Sequence, residues 1–110
     1  MLIRPIDHER LIAIFESASV PIQVWAYGSR VNGRAHNGSD LDLVIRTQDN
    51  AKLPIEVLQP LLDKIKYSNI PIIVELFDWA RLPESFYKNI LAQHEVLFTS
   101  PDFKEDEGIA

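Results

Sequence analysis

One short stretch constrains the fold more than any other part of the chain: residues 27–45, YGSRVNGRAHNGSDLDLVI. It predicts the end of a strand, a Gly-Ser turn, a polar loop and a second strand that opens with two acids. Asp40 and Asp42 are two positions apart, so on a strand both carboxylates leave the same face. The apolar residues that alternate with them point to the opposite face, toward a core. Two acids on one sheet face repel each other unless a cation lies between them, so this pattern indicates a cation site.

The residue types in this stretch suit a metal and a phosphate together. Mg²⁺ in proteins takes oxygen ligands, commonly one or two carboxylates together with substrate phosphates. Gly28 and Ser29 supply a turn whose backbone N–H groups and hydroxyl suit a phosphate. Carboxylates beside a phosphate-binding turn predict a nucleotide site. The alternative is an ordinary β-turn followed by a solvated acidic strand end.

A third acid lies further along the chain, in a predicted strand over residues 72–77, IIVELF. A charge inside an apolar run is costly unless it is paired or bound to a metal. Glu75 is therefore the best candidate for a third carboxylate beside Asp40 and Asp42. The nearby Asp78 is better explained as the cap of the following turn, with a role as the catalytic acid as the less favoured alternative.

The spacing of these residues resembles a known signature. Gly28-Ser29, ten intervening residues and Asp40-x-Asp42 are similar to the motif of the polymerase-beta-like nucleotidyltransferases. The short form of the motif and the downstream VELFDW run are most similar to the minimal nucleotidyltransferase (MNT) proteins. The resemblance covers residues 24–98. The family usually has an aspartate where this chain has Glu75, and the extra methylene of glutamate moves the carboxylate further from the backbone.

The resemblance implies a magnesium-dependent site with ATP as the substrate. Two Mg²⁺ ions would be held by three carboxylates, those of Asp40, Asp42 and Glu75. The phosphates would be held by Gly28 and Ser29. Arg30 is a further candidate for contacting the triphosphate, because guanidinium binds such oxygens bidentately. A solvated loop charge is its alternative role, and Arg34 is a weaker candidate of the same kind.

The resemblance also implies an acceptor and a biological role. MNT proteins transfer AMP to a protein, so the acceptor would be a hydroxyl, that of a tyrosine, on an all-helical HEPN-type toxin. This chain would then be the antitoxin of a hetero-oligomeric pair. Two alternatives stay open. One is a non-catalytic nucleotide-binding subunit that inhibits its partner by occlusion. The other is a small-molecule nucleotidyltransferase of the antibiotic-modifying kind, although such enzymes usually carry an additional helical domain.

Composition bounds the remaining functional classes. The chain has 110 residues and a formal net charge of −5. Two bound Mg²⁺ would bring this charge to −1 (−5 + 4), which does not favour binding to a nucleic-acid backbone. Without cysteines the chain can form neither a disulfide nor a thiolate metal site. No stretch predicts a signal peptide or a membrane span, so a cytoplasmic protein is the default expectation.

Hydrophobic periodicity predicts a single α/β (α+β) domain over residues 1–100. We expect a small mixed sheet of three to four strands, packed by helices on one face. Helices are predicted over residues 7–18, 29–31, 54–67 and 83–93, and further strands over residues 22–27 and 96–98.

The sequence also predicts several details of this domain. Asp7 is the expected N-cap of the first helix. Pro60 requires either that the 54–67 helix kinks or that it begins near Pro60. Residues 101–110 predict an acidic, frayed tail. Exposed apolar residues, including Trp79 and Phe103, predict a partner surface.

Overall fold

The computed structural model describes residues 1–34 and 38–104. Its elements, in chain order, are α1 (Pro5–Glu16), β1 (Gln23–Tyr27), α2 (Ser29–Asn32), β2 (Leu41–Arg46), α3 (Ile55–Lys66), β3 (Val74–Asp78), a 3-10 turn (Trp79–Arg81), α4 (Glu84–Ala92) and β4 (Glu95–Thr99). None of the helices in these two ranges has the length and apolar character needed to cross a membrane.

The strands form one mixed sheet in the order β3-β2-β1-β4. β1 pairs with β2 and β4 in antiparallel fashion, whereas β2 and β3 run parallel. A parallel pair needs a long crossover, and α3 supplies it between β2 and β3. The predicted mixed sheet is confirmed, and the short strand predicted near the C-terminus is β4, at one edge.

The main hydrophobic core lies on one face of the sheet. There the alternating apolar residues of β1 and β2 pack against side chains of α1 and α3, including Leu11, Phe15 and Leu61. The opposite face has a smaller cluster in which Ile90 of α4 packs with Trp25 and Val44. The helical layer expected on one face is therefore present, and α4 adds a partial cover on the other.

Prolines bear on the start of two helices, one of which differs from the sequence prediction. α1 begins at Pro5, which is favoured in the first turn because its missing N–H would have no partner there. Asp7 is consequently not the N-cap. It is buried inside the first turn, where Arg4 and Arg10 donate to its carboxylate. α3 begins at Ile55 and continues through Pro60, so the helix does not begin at that proline.

Of the two aromatic residues named for the predicted partner surface, the prediction is wrong for Phe103, whereas for the half-buried Trp79 it stays a prediction. Phe103 is buried, and the Arg46 guanidinium carbon lies 5.6 Å from its ring centroid. Trp79 stacks on Tyr87 with 4.1 Å between the ring centroids and meets Trp25 edge-on. Residues 101–104 thus pack onto the domain, whereas the rest of the predicted tail, 105–110, lies outside the described residues.

Candidate active site

Three polar side chains form a row across the sheet, one on each of β1, β2 and β3. Tyr27 is the register partner of Asp42, and Asp42 is the partner of Glu75. Directly opposite residues on neighbouring strands point to the same face, so these side chains are neighbours. The structure therefore brings together two of the three predicted carboxylates, with the phenol of Tyr27 beside them.

The negative charges in and beside this row lie close enough to affect neighbouring pKa values. Burial, the charges of Glu75 and Asp40, and a hydrogen bond with Glu75 together raise the pKa of Asp42. Burial, followed by the charges of Asp42 and Glu75, raises the pKa of Tyr27 to about 12. Asp42 is half-buried and Glu75 is exposed. Negative charge is thus concentrated at one end of the sheet, where solvent or a ligand can reach it.

The Gly-Ser turn lies directly against this row. Gly28 adopts a φ of +80°, and a Cβ added there would lie 2.5 Å from Oδ2 of Asp42. Only glycine permits both the backbone conformation and this close approach. Ser29 follows as the first residue of α2, a helix of only four residues that Gly33 ends in a left-handed conformation. The turn predicted to hold phosphate therefore adjoins the predicted metal carboxylates.

Arg30 has a role that sequence reasoning did not predict. Its side chain is buried, its Nε and Nη2 donate to the Ser39 carbonyl, and its Nη1 donates to the Leu2 carbonyl. The guanidinium is thus engaged with main-chain oxygens. The expectation that Arg30 binds phosphate finds no support in these contacts, because charge in a sequence does not show where a side chain points.

A cleft opens between the Gly-Ser turn and α4. It has a volume of about 460 Å³ and is lined by Gly28, Asn32, Arg34, Asn89, Ala92 and Gln93. This volume is within the range of small-molecule sites. Of the two arginines considered from sequence, only Arg34 lines this cleft. The amide side chains of α4 were missed, since no local motif links them to residues so far away in the chain.

The predicted Mg²⁺ can be tested against these residues. A hard cation prefers carboxylate oxygens as ligands. Burial, and after it the charges of Glu75 and Asp40, raises the pKa of Asp42, and a bound cation would offset both effects. Within residues 1–34 and 38–104, no three acidic, histidine or cysteine side chains converge into a preformed metal cage. Mg²⁺ commonly uses one or two carboxylates and completes its shell with phosphates and water, so the residues present fit this ion.

Asp78 and Trp25 have structural positions in the fold. Asp78 caps the 3-10 turn by accepting from the Ala80 N–H, as the sequence predicts. Trp25 is a buried member of the smaller core cluster, where His94 stacks on it with 4.0 Å between ring centroids. The histidine of the loop before Asp40, His36, lies outside the described residues.

Comparison with known proteins places the chain in a family. The sequence profile described as "Polymerase beta, Nucleotidyltransferase" matches residues 9–103. The chain is also similar to the probable protein adenylyltransferase MntA of Haemophilus influenzae, with 38% identity over 76 residues. That alignment covers 67% of this chain and 63% of MntA, so the chain spans less than two thirds of that relative's length.

Two crystal structures have a similar fold. One is a toxin–antitoxin complex with AMP-PNP, with a TM-score of 0.67, 18% identity, and coverage of 86% of this chain and 75% of that one. The other is a mutant of an MntA–HpeT toxin–antitoxin complex, with a TM-score of 0.63, 17% identity, and coverage of 91% and 76%. At such identities the likeness is one of fold. Because the family profile spans the whole sheet and both aspartates of the Asp-x-Asp motif, the chain belongs to the polymerase beta, nucleotidyltransferase family.

Proposed function

We propose that this chain transfers AMP from ATP to a hydroxyl group of a partner protein and thereby silences it as an antitoxin. The observation that carries the proposal is the Asp42–Glu75 pair in register on β2 and β3, with the Gly28 turn against it. The relative named a protein adenylyltransferase supports a protein acceptor. The solved complex with AMP-PNP supports ATP as donor and a toxin as partner. A tyrosine acceptor and a HEPN-type partner follow from the resemblance to MNT proteins.

In this proposal Asp40, Asp42 and Glu75 hold Mg²⁺. Bound there, the ion neutralises triphosphate charge and stabilises the transition state of phosphoryl transfer. The protein's own residues contribute to the reaction by positioning the phosphates. Gly28 lets the backbone approach the carboxylates, and the turn that it forms with Ser29 holds the β- and γ-phosphates. The nucleoside lies toward the cleft that Arg34 and α4 line.

The transfer step is a displacement at the α-phosphorus. A bond forms between the acceptor oxygen and this phosphorus, and the bond to the bridging oxygen breaks, so that pyrophosphate leaves. Glu75 takes the hydroxyl proton, because it is the exposed member of the pair and the one that an incoming acceptor can reach. Its register with Asp42 on the neighbouring strand keeps it within the site.

The experiment measures transfer of label from α-³²P-ATP to the co-expressed partner, read beside the partner's own activity. Wild type should label and silence the partner, whereas Glu75→Gln should bind the partner and leave it unlabelled. Glu56→Gln, an exposed acid in the first turn of α3, is the matched control and should label normally. If wild type silences the partner without any label, and Glu75→Gln silences it equally, the chain acts by occlusion. Label on a small-molecule acceptor alone would instead establish the antibiotic-modifying alternative.

A further inference from the structure

We infer that Arg30 is a positioning residue, which ties the Gly-Ser turn to the chain segment that presents Asp40 and Asp42. This inference rests on the proposed function for its meaning. Its evidence is the set of hydrogen bonds made by one buried guanidinium, and none of those bonds involves a substrate.

The first contact is with the segment before β2. Nε and Nη2 of Arg30 donate to the Ser39 carbonyl at 3.0 and 2.7 Å. Ser39 immediately precedes Asp40, and β2 begins one residue later. A fork of two N–H groups on one carbonyl fixes both the place and the direction of that peptide. The starting point of the Asp-x-Asp motif is therefore held by Arg30.

The second contact is with the N-terminal segment. Nη1 of Arg30 donates to the Leu2 carbonyl at 2.6 Å, and the Leu2 N–H donates to the Arg30 carbonyl at 3.0 Å. These reciprocal bonds fix the backbone of Arg30 as well as its side chain. Since Arg30 directly follows Ser29, the same bonds hold the first residues of α2. One residue thus joins three segments that are distant or separated by a loop in the sequence.

The chemistry of these contacts explains why an arginine is needed. A buried cation is costly unless its donors are satisfied, and the planar guanidinium reaches carbonyls in two directions at once. A lysine has one compact ammonium and cannot form the fork on Ser39 while reaching Leu2. Displacement of a reacting group by about 1 Å can reduce a rate by about 100-fold. Loss of Arg30 should therefore impair the site without removing any group that touches substrate.

The test compares Arg30 with Arg46, a matched control. Arg46 is equally buried and lies at the other end of β2, where it donates to Gln23 and Asn50. Exchanges of either arginine for Met or Lys should lower Tm. Only the Arg30 variants should lower kcat for AMP transfer, Arg30→Met by about 10- to 100-fold, while KM for ATP changes less. Arg30→Met should also raise the Mg²⁺ concentration needed for half-maximal rate, and Arg30→Lys should fall between wild type and Arg30→Met.

Equal kcat and equal Mg²⁺ dependence in the Arg30 and Arg46 variants, each assayed below its Tm, would overturn the inference. If the Met variants do not fold, the two Lys variants provide the same comparison. If wild type transfers no AMP, the proposed function fails, and a binding measurement decides the role of Arg30. In that measurement Mg²⁺ with a non-hydrolysable ATP analogue should raise the Tm of wild type and the Arg46 variants. An equal rise in the Arg30 variants would contradict the inference.

Discussion

The two ends of the β2–β3 pair both carry charged side chains, but only the far end surrounds them with protein groups. At the far end Asp78 is buried and accepts from the Leu53 N–H at 2.8 Å and the Ala80 N–H at 3.2 Å, while Arg81 forms an ion pair with it. Arg46 lies at the same end of β2, held by side-chain acceptors and by the ring of Trp25 at 4.7 Å. The protein itself satisfies these charges.

At the near end of the pair, the register partner of Asp42 is another acid, Glu75. Asp42 and Glu75 lie in register, and burial together with the charge of Glu75 raises the pKa of Asp42. Neither acid forms an ion pair with a lysine, arginine or histidine in the part of the chain that the structure describes. A charged side chain that is paired with protein groups, such as Asp78, contributes to stability. Two neighbouring acids that repel each other, such as Asp42 and Glu75, instead form a site suited to a bound cation. The following predictions test this contrast.

Exchange of Asp42 for Asn should have the largest effect on activity. Because this removes a carboxylate proposed to hold the nucleotide-bound metal, AMP transfer should fall about 1,000-fold, equivalent to several kcal/mol of transition-state stabilisation. The variant should stay folded, with a Tm equal to or above that of wild type, since a like-charge contact is removed. Initial rates of label transfer and thermal melts measure both quantities. A folded Asp42→Asn protein with wild-type rates would contradict the site assignment.

Exchange of Asp78 for Ala should show the opposite pattern. It leaves the Leu53 and Ala80 N–H groups without their acceptor and Arg81 without its partner, so the free energy of unfolding should fall by about 3 kcal/mol. At a temperature where the variant is still folded, it should bind Mg²⁺ and nucleotide as wild type does. Urea denaturation and a binding titration measure the two effects. Normal stability with lost nucleotide binding would show that the far end belongs to the site.

Exchange of Gly28 for Ala should lower both stability and ATP affinity, each by less than the losses expected for the two variants above. The backbone of Gly28, with φ +80° and ψ −156°, lies in a region essentially restricted to glycine and costs another residue about 1–3 kcal/mol. The new methyl group would also collide with the Asp42 carboxylate. ATP affinity should fall by about tenfold, the effect of 1.4 kcal/mol. Gly33 also has a positive φ but has open space around its Cβ position, so Gly33→Ala is the matched control. It should lose stability and keep ATP affinity; equal loss of affinity in both variants would reject the close-approach argument.

The smallest expected effect is a change with pH in the Tm difference between Asp42→Asn and wild type. The raised pKa of Asp42 means that the folded protein binds this proton more tightly than the unfolded chain. Its contribution to stability is present below the unfolded pKa, about 4, and is lost as pH rises through the folded pKa. Without metal, Asp42→Asn should therefore gain in Tm relative to wild type as pH rises above about 4. Mg²⁺ with nucleotide should reverse that gain by stabilising wild type alone. A Tm difference that does not vary with pH would contradict the raised pKa.

Sequence reasoning succeeded where a local pattern determines position. Alternation in β2 placed Asp42 opposite the core, and the lone charge in the apolar run of β3 pointed to Glu75. The structure then set the two in register. The catalytic and ligand roles of these residues stay predictions, which the experiments above test. The turn cap formed by Asp78 also followed from a local pattern, since only neighbouring residues are involved.

Sequence reasoning failed where distant parts of the chain decide the role of a residue. Arg30 is polar and adjoins a phosphate-type turn, yet carbonyls of Leu2 and Ser39 determine its direction. Phe103 lies in an otherwise polar tail, but it is buried, with Arg46 of β2 near its ring. Such contacts have no periodicity in the sequence from which they could be predicted. The cleft beside α4 could not be predicted for the same reason, because the residues that line it are distant from one another in the sequence.

Anomalous scattering from Mn²⁺ tests the central claim most directly. Crystals grown with Mn²⁺ and a non-hydrolysable ATP analogue would locate the metal and the phosphates in one map. The account predicts an anomalous peak in contact with the Asp42 carboxylate, with Asp40 or Glu75 as a second ligand and the triphosphate against the Gly28 turn. A site without this peak, or a triphosphate bound elsewhere while the near end of the sheet stays empty, would contradict it.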